Sequence, residues 1–240
     1  TTATAKRGAV AATANRTVGN EYGNLIGLTV DAFTTATLLA QTDITGGDIA
    51  SLGDALLTAQ NGEINGTTVQ TDAKATLNAD LDIVGVDIDA ANAELNADED
   101  IVGGAVSVTG LADLNANKDG VGTGDIAGAA VDAGTATLDG VNIAGVQVNT
   151  DGNATLTATA DIQGGNVNAG GEAMINASNA GDIDGIVVMA AQKVTAIADQ
   201  SVTNAGFTST DSTVDVTAEK VDITNTDVVA NQKATATAGK

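Results

Sequence analysis

The chain of 240 residues carries 31 Asp and Glu against 9 Lys and Arg, and it contains no His, Cys, Pro or Trp. The absence of Cys and His excludes thiol catalysis, Ser-His-Asp triads, haem ligation and ordinary zinc sites, while a net charge of −22 argues against nucleic-acid binding, which needs a basic surface. No apolar run approaches the roughly 18 residues of a membrane span, so no membrane insertion is expected, yet 43 % hydrophobic residues are too many for a disordered acidic chain.

The first 23 residues differ from the rest of the sequence. They carry a net charge of +2, whereas the remainder carries −24. Within them, residues 8–14 resemble the second half of the repeat unit found in the rest of the chain, with no first half before it. We predict a basic N-terminal segment over 1–23 that contains half a repeat unit and serves for docking or capping, followed by a repeat domain over 24–240.

From residue 24 onward the sequence repeats itself about every 19 residues. One copy begins Ile64-Asn-Gly66-Thr-Thr-Val69 and continues, after a short connection, as Ala75-Thr-Leu77-Asn-Ala79. The first apolar residue of the pattern returns at Leu25, Ile44, Ile64, Ile83, Ile101, Ile126, Ile143, Ile162, Ile183, Val202 and Ile223. The glycine two residues later returns at Gly27, Gly46, Gly66, Gly85, Gly103, Gly128, Gly145, Gly164 and Gly185, and becomes Asn204 and Asn225 in the last two copies. Such self-similarity is the signature of a stacked repeat architecture.

Each copy divides into two parts with different periodicity. The second part alternates strictly, so that Ala75 and Leu77 face one side of a β-strand. In the first part, Ile64 and Val69 are separated by an odd step, and two inward residues at such a spacing require a bend between them. Gly66 lies at this bend. The pattern of each copy therefore predicts a short strand, a glycine corner and a longer strand.

A single copy cannot bury its own apolar face, so the copies must stack. We predict an all-β fold, a single parallel β-solenoid of about eleven rungs with 19–20 residues per rung. At roughly 4.8 Å per rung this gives a rod about 50 Å long. The fold accounts for the absence of Pro, because interior strands donate backbone hydrogen bonds to the rungs on both sides. Coil handedness and the number of sides stay open.

An insertion follows the fifth rung. Its oxygen-bearing side chains alternate along the sequence, as in an EF-hand or dockerin-type calcium loop. The twelfth position holds Ile126 where such a loop has a bidentate Glu. The candidate metal ligands are Asn115, Asn117, Asp119 and Asp125. Calcium is the candidate ion, a solvated Gly-Asp turn is the alternative, and no other cofactor is predicted.

Acidic residues recur immediately before the rung starts, at Asp43, Glu63, Asp82, Asp100, Asp125, Asp161, Asp182 and Asp222. In a parallel stack these carboxylates form a ladder with a spacing of roughly 5 Å, at which neighbours repel by about 0.8 kcal/mol in water. Either cations lie between them or the ladder is splayed at a solvated corner; the sequence leaves both open.

The C-terminal residues 232–238 repeat only the second part of a copy. The ends of a β-solenoid are open sheet edges, which soluble solenoids usually cover, and neither end of this sequence offers a charged helix or loop as a cap. We therefore expect another subunit to stack there. The predicted subunit interface comprises Lys6, Arg7, Val10, Ala12, Arg16, Ala234 and Ala236.

The rungs resemble two groups of secreted bacterial proteins. Copies of this length with I-x-G and A-x-L-x-A motifs over residues 24–240 resemble the haemagglutinin-type repeats of filamentous adhesins, which form right-handed β-helices. The same rung length and strand-turn-strand plan resemble curli-like and Fap-like fibre subunits. The resemblance implies an extracellular protein of the cell surface, and a start at Thr1 without an initiator Met is expected of a processed product.

We expect a non-enzymatic structural subunit of an extracellular filament, a biofilm matrix or surface fibre, that assembles head to tail with itself as partner. A monomeric secreted adhesin or glycan-binding rod is the alternative, with glycans or a cell surface as partner. A carbohydrate-active β-helix enzyme is the third hypothesis, since such enzymes have similar I-x-G-N-x-I rungs. They usually carry long loops and sugar-stacking aromatics, whereas here the aromatics are Tyr22, Phe33 and Phe207.

Overall fold

The computed structural model describes residues 2–5, 8–14, 23–117 and 124–239. In these ranges the regular structure consists of β-strands alone, and no helix is long and apolar enough to span a membrane. The chain divides into two compact units, Thr1–Gly124 and Asp125–Lys240. Each unit is a parallel β-solenoid with three sheets, which we call short, middle and long after the lengths of their strands. The predicted all-β solenoid of about eleven rungs is confirmed.

In the first unit, the middle and long sheets each contain six described strands and the short sheet contains five. The short sheet contains β3 (Leu25–Ile26), β6 (Ile44–Thr45), β9 (Ile64–Asn65), β12 (Ile83–Val84) and β15 (Ile101–Val102). The middle sheet contains β1 (Thr2–Ala5), β4 (Thr29–Ala32), β7 (Asp48–Ser51), β10 (Thr68–Thr71), β13 (Asp87–Ala90) and β16 (Ala105–Val108). The long sheet contains β2 (Val10–Ala14), β5 (Ala36–Ala40), β8 (Ala55–Ala59), β11 (Lys74–Ala79), β14 (Asn92–Ala97) and β17 (Leu111–Ala116).

The second unit has the same arrangement. Its short sheet contains β18 (Ile126–Ala127), β21 (Ile143–Ala144), β24 (Ile162–Gln163), β27 (Ile183–Asp184), β30 (Val202–Thr203) and β33 (Ile223–Thr224). Its middle sheet contains β19 (Ala130–Ala133), β22 (Gln147–Thr150), β25 (Asn166–Ala169), β28 (Val187–Ala190), β31 (Gly206–Ser209) and β34 (Asp227–Ala230). Its long sheet contains β20 (Thr135–Gly140), β23 (Ala154–Ala158), β26 (Ala173–Ala177), β29 (Val194–Ala198), β32 (Thr213–Ala218) and β35 (Lys233–Ala238).

Like residues stack on like residues along the core. Leu77 is in register with Leu57 on one side and Leu95 on the other, and all three are at most 1 % exposed. Ile143 and Ile162 form the same kind of column in the second unit. Complete burial of a side chain of this size contributes about 1.5–3 kcal/mol, so the repeated columns are the main source of stability.

The corner after each short strand has a left-handed backbone, as the sequence pattern predicts. The φ angles there lie between 48° and 70°, at Gly27, Gly46, Gly66, Gly85, Gly103, Gly128, Gly145, Gly164, Gly185, Asn204 and Asn225. Glycine tolerates this region without steric strain, and Asn tolerates it better than most residues. The bend inferred from the odd spacing of the apolar residues is therefore confirmed.

The residue after this corner is a core position that the sequence interpretation missed. Val86, Val146 and Ile186 point inward there and are at most 1 % exposed. At Gly104 the same position has a φ of 84°, and an added Cβ would lie 2.4 Å from the carbonyl oxygen of Val86. The corner thus brings a third apolar column inward, or brings two backbones into close contact where the residue is glycine.

The N-terminal segment contains more regular structure than the predicted half rung. Besides β2, the strand β1 pairs in parallel with β4 and β2 pairs with β5, so two of the three strands of a rung are present. The division of the chain at residue 23 stays a prediction.

Candidate functional site

Side chains before the short strands form a hydrogen-bonded series, the corner ladder. A side-chain oxygen of one rung accepts the backbone N–H of the equivalent residue one rung later, as between Asp82 and Asp100 at 2.9 Å. In the second unit four such bonds of 2.8–3.1 Å follow one another through Asp125, Asn142, Asp161, Asp182 and Ser201. In the first unit the ladder also joins Asn24 to Asp43 and Asp43 to Glu63.

The corner ladder gives the recurrent carboxylates a structural role. Each of these oxygens accepts a peptide N–H at a place where the chain turns, and a hydrogen bond to a charged group contributes about 1.5–3 kcal/mol. Neutral Asn142 occupies a position in the same series. The N–H donors stabilise the stacked acceptors, a contribution that neither sequence interpretation included. The proposed cations between the carboxylates stay a prediction.

A second series lies at the start of the long strands. The side-chain oxygen of Asp54 accepts the N–H of Lys74 at 3.1 Å, and Asn92 and Asn153 accept the equivalent N–H groups one rung later, each at 2.9 Å. At the preceding bend, the buried hydroxyl of Thr150 donates to the carbonyl of Gly152 at 2.9 Å. Both polar corners of a rung are therefore satisfied by short polar side chains, as buried backbone groups require.

Three carboxylates of the second unit have lowered pKa values. Hydrogen bonds from Thr203 and then Asn204 lower the pKa of Asp184. The Lys220 Nζ lies 2.7 Å from the Asp199 Oδ2. The hydrogen bond from Lys220 is the largest cause of the lowered pKa of Asp199, and the hydrogen bond from the Ala180 N–H is the second. The hydrogen bond from Lys193 lowers the pKa of Asp215 in the same way. In contrast, desolvation by burial raises the pKa of Asp139.

Both units have a shallow groove among their described residues. One, of about 220 Å³ in the second unit, includes Asn176, Asn179 and the Asp199–Lys220 pair. The other, of about 250 Å³ in the first unit, is lined by residues of β4, β7 and β10 and the bends that follow them. The exposed side chain of Leu52 borders this second groove.

The structure leaves the predicted calcium loop untested. Asn115 lies at the end of β17 and Asn117 has a φ of 77°, while Asp119 lies outside the described residues. The Asp125 carboxylate accepts both the backbone and the side-chain N–H of Asn142, at 3.0 and 2.8 Å, which makes it part of the corner ladder. Among the residues that the structure describes, no three Asp, Glu, His or Cys side chains form a metal-binding cluster.

The predicted interface residues fall into two groups. Lys6, Arg7 and Arg16 lie outside the described ranges. On β2, Val10 is 8 % exposed and Ala12 is half-buried. Ala234 and Ala236 of β35 are exposed, although the equivalent residues of the rungs from β5 to β32 belong to the core. Whether any of these residues forms an interface stays a prediction.

One side of the rung formed by β33, β34 and β35 is uncovered in the structure. Each of these strands is the last in its sheet. Inward residues donate their N–H groups to the following rung, as Ala154 does to Glu172 at 2.9 Å and Val202 does to Asp222 at 3.0 Å. By this alternation the N–H groups of Ala234 and Ala236 point to the uncovered side. We call this surface the open edge.

Comparison with protein-family models, with curated proteins and with solved structures finds no match for the chain. The fold itself defines the class, a repetitive parallel β-solenoid with three sheets. The likeness to filamentous adhesins and to curli-like subunits stays a resemblance between sequence patterns.

Proposed function

We propose that this protein is a structural subunit of an extracellular filament, a surface fibre or biofilm matrix component, in which copies stack head to tail. The observation that carries the proposal is the parallel register in which consecutive rungs pair through the same positions, a register that β1 and β2 of a second copy can continue at β34 and β35. Parallel strand edges are templates for strand addition by another chain. The corresponding edges in the first unit belong to β1, β2 and β3, each the first strand of its sheet.

The geometry of the open edge supports continuation of the ladder into a second copy. It presents backbone N–H groups of inward residues on β34 and β35, at Val228, Ala230, Ala234 and Ala236. Because each sheet is parallel, β1 and β2 of a following copy in the same orientation pair with these groups just as consecutive rungs do. The joint then repeats the contacts of the middle and long sheets, whereas β3 belongs to the next rung.

Backbone hydrogen bonds alone do not account for a stable joint between two copies. Four backbone hydrogen bonds contribute about 4 kcal/mol net, whereas association of two proteins costs about 4–15 kcal/mol. Burial of the apolar columns at the joint must therefore supply the rest. Ala236 and Ala238 are exposed at the open edge, while Ala196 and Ala198 are fully buried in β29.

Net charge gives the proposed assembly a salt dependence. Copies that each carry −22 repel one another, and salt screens that repulsion over a Debye length of about 10 Å at 0.1 M. The same charge keeps a strand-rich protein soluble before assembly. We therefore expect polymerisation to accelerate as ionic strength rises.

The test replaces the N–H groups of the open edge. In the variant Ala234→Pro with Ala236→Pro, two N–H groups that point away from the solenoid are lost, so the fold is expected to persist. The matched control, Ala234→Ser with Ala236→Ser, keeps both N–H groups. Electron microscopy and sedimentation at several salt concentrations should show filaments for the native chain and the Ser control, and dispersed particles for the Pro variant.

Fibre diffraction from the filaments should show a repeat of about 4.8 Å along their axis. The proposal is overturned if the native chain stays dispersed at all salt concentrations, or if the Pro variant polymerises as readily as the native chain. Circular dichroism and thermal unfolding of both variants establish that the folded solenoid was tested.

An exposed apolar corner favours a second candidate, a glycan-binding adhesin. Phe33 and Leu52 follow the successive middle strands β4 and β7, and each is 53 % exposed. Asp31, Gln70 and Asp72 line the groove beside Leu52. Sugar rings stack on aromatic faces while carboxylates and amides bind their hydroxyls. A glycan array should then show binding that Phe33→Ala abolishes and that Phe207→Leu, a change in the core, leaves intact.

A further inference from the structure

Four successive strands of the middle sheet in the second unit present no charged side chain, although Asp132 and Asp227 are exposed on the strands at either side, β19 and β34. The strands β22, β25, β28 and β31 of the middle sheet present to solvent the side chains of Gln147, Asn149, Asn166, Asn168, Val187, Met189 and Thr208, together with Gly206. We call this surface the neutral face. It lacks charge in a chain with 31 acidic and 9 basic residues, and its outward positions are exposed or half-exposed.

The first unit shows that lack of charge is not inherent to the middle sheet. Its strands β4, β7 and β13 place four carboxylates at the corresponding outward positions, Asp31, Asp48, Asp87 and Asp89. The inward positions of the two units are equally apolar. The composition of the neutral face is therefore a property of this surface and not of the fold.

Apolar side chains on the neutral face are large and well exposed. Val187 is 50 % exposed and Met189 is 48 % exposed on β28. In the register of the sheet, Met189 pairs with Thr208 and Thr208 pairs with Val229, which is 56 % exposed. Contiguous exposed apolar surface on a soluble protein marks an interaction site.

The polar part of the neutral face consists mainly of amides. The Asn166 side chain donates a hydrogen bond to the Gln147 side chain one rung earlier, at 2.9 Å, and Asn149 pairs with Asn168 in register. An amide group carries both donors and acceptors. A surface of amides and apolar side chains can therefore pair with a copy of itself, which a surface of carboxylates cannot.

We propose that the neutral face is a lateral self-association surface, on which two copies of this chain pack side by side. The net negative charge of the chain favours a second copy, and not a cationic protein, as the partner on the neutral face. A cationic partner is attracted to the acidic surfaces, whereas two copies that each carry −22 approach most closely where neither presents charge. The same patch on both copies gives an isologous contact around a two-fold axis.

The size of the neutral face indicates a weak contact for an isolated pair. Four strands at about 4.8 Å and four residues at about 3.3 Å cover roughly 250 Å², below the 800 Å² or so per partner of a stable interface. Linked copies repeat the contact and gain avidity. Bundling of filaments rests on the proposed function, whereas pairing of two isolated copies does not.

The experiment introduces charge at matched positions of the two units. Val187→Asp with Met189→Asp places two carboxylates on the neutral face. Ala105→Asp with Ser107→Asp places two at the corresponding outward positions of β16, with the same change in net charge. Both pairs are made in the Ala234→Pro, Ala236→Pro background, which separates lateral pairing from end-to-end stacking.

Sedimentation equilibrium over a wide concentration range at 0.5 M salt measures the pairing. We expect the background protein to dimerise, the neutral-face pair to weaken dimerisation at least tenfold, and the β16 pair to change it less than twofold. Equal melting temperatures of the two variants show that the fold is unaffected.

A background protein that stays monomeric up to its solubility limit overturns the proposal, as does equal weakening by both pairs or no weakening by the neutral-face pair. In the native background, single unbundled filaments of the neutral-face variant would leave the filament proposal intact. Dimers without filaments would instead support lateral pairing and contradict the filament.

Discussion

The two units have similar buried core residues and different exposed residues. Ile64 and Ile143 occupy the same inward position and are both fully buried, and both are followed by a left-handed glycine. On the outward side of the middle sheet, β4, β7 and β13 of the first unit carry carboxylates, whereas β22, β25 and β28 of the second carry amides, Val and Met, and its carboxylates lie on β19 and β34. Inward residues contact the rungs on both sides, so packing restricts them, whereas outward residues only need to tolerate a strand. Function in this fold must therefore be sought on the outward columns.

The largest loss of stability is expected from the leucine column, and to the same extent in both units. Leu95→Ala and Leu156→Ala each remove a side chain that is at most 1 % exposed, and we expect each to lower the free energy of unfolding by about 3–4 kcal/mol. Denaturant titration measures the loss. Met174→Ala, at a site that is 44 % exposed, is the control, with an effect within about 0.5 kcal/mol. Markedly unequal losses for the two leucines would contradict the equivalence of the interiors.

Substitution of the two adjacent glycines of one corner should lower stability by different amounts, and in the same way in both units. Gly104→Ala and Gly165→Ala place a Cβ 2.4 and 2.5 Å from a carbonyl oxygen of the preceding rung, and we expect a loss of about 2–3 kcal/mol. Gly103→Asn and Gly164→Asn meet no atom within 4 Å of the new Cβ, so about 1 kcal/mol or less is expected. Thermal unfolding of the four variants distinguishes the positions, and equal losses within a pair would refute the distinction.

Substitutions in the corner ladder should lower stability by a smaller amount, and the conservative change to Asn should avoid this loss. Asp82→Ala and Asp182→Ala each remove an acceptor for the N–H of the next rung, and a loss of about 1.5 kcal/mol is expected. Asp82→Asn and Asp182→Asn keep that acceptor, as Asn142 does naturally, and should retain the stability of the native chain. If Asn proves as destabilising as Ala, the carboxylate charge is needed at the corner, for example to bind cations.

The smallest expected effect is a pH dependence of stability that comes from carboxylates of the second unit. Asp184, Asp199 and Asp215, all in the second unit, have lowered pKa values. Their contribution to stability is present above the usual pKa of an Asp, about 3.9, and is lost as pH falls through the lowered values. In Lys220→Met the pKa of Asp199 should rise toward its usual value while that of Asp215 stays low. NMR titration of the carboxyl carbons measures both, and an unchanged Asp199 would show that Lys220 is not the cause.

Sequence patterns predicted the parts of the fold that depend on one rung at a time. The parity change between Ile64 and Val69 located the bend, and Gly66 supplied the residue that can adopt it. Even the Asn at 204 and 225 was placed correctly in the left-handed region. These features are local, so a single copy contains the information.

What the sequence did not reveal depends on neighbouring rungs. The acidic residues before the short strands were noted, but their hydrogen bonds join equivalent positions of consecutive rungs, and only the stacking register brings these groups together. Val86 could have been recognised as a core residue, because apolar residues recur directly after the corner glycine at Val146 and Ile186. The neutral face becomes visible only when the outward residues of successive middle strands are aligned.

Identical residues on neighbouring rungs make the length of this protein adjustable. Removal of residues 64–82 would join Glu63 to Ile83 and place Ile83 on Ile44, the same residue type that Ile64 places there now. A gene for such a chain can lose or duplicate one repeat by unequal recombination and still encode a continuous core. Length can therefore change in steps of one rung, about 4.8 Å each, while each surface column keeps its direction.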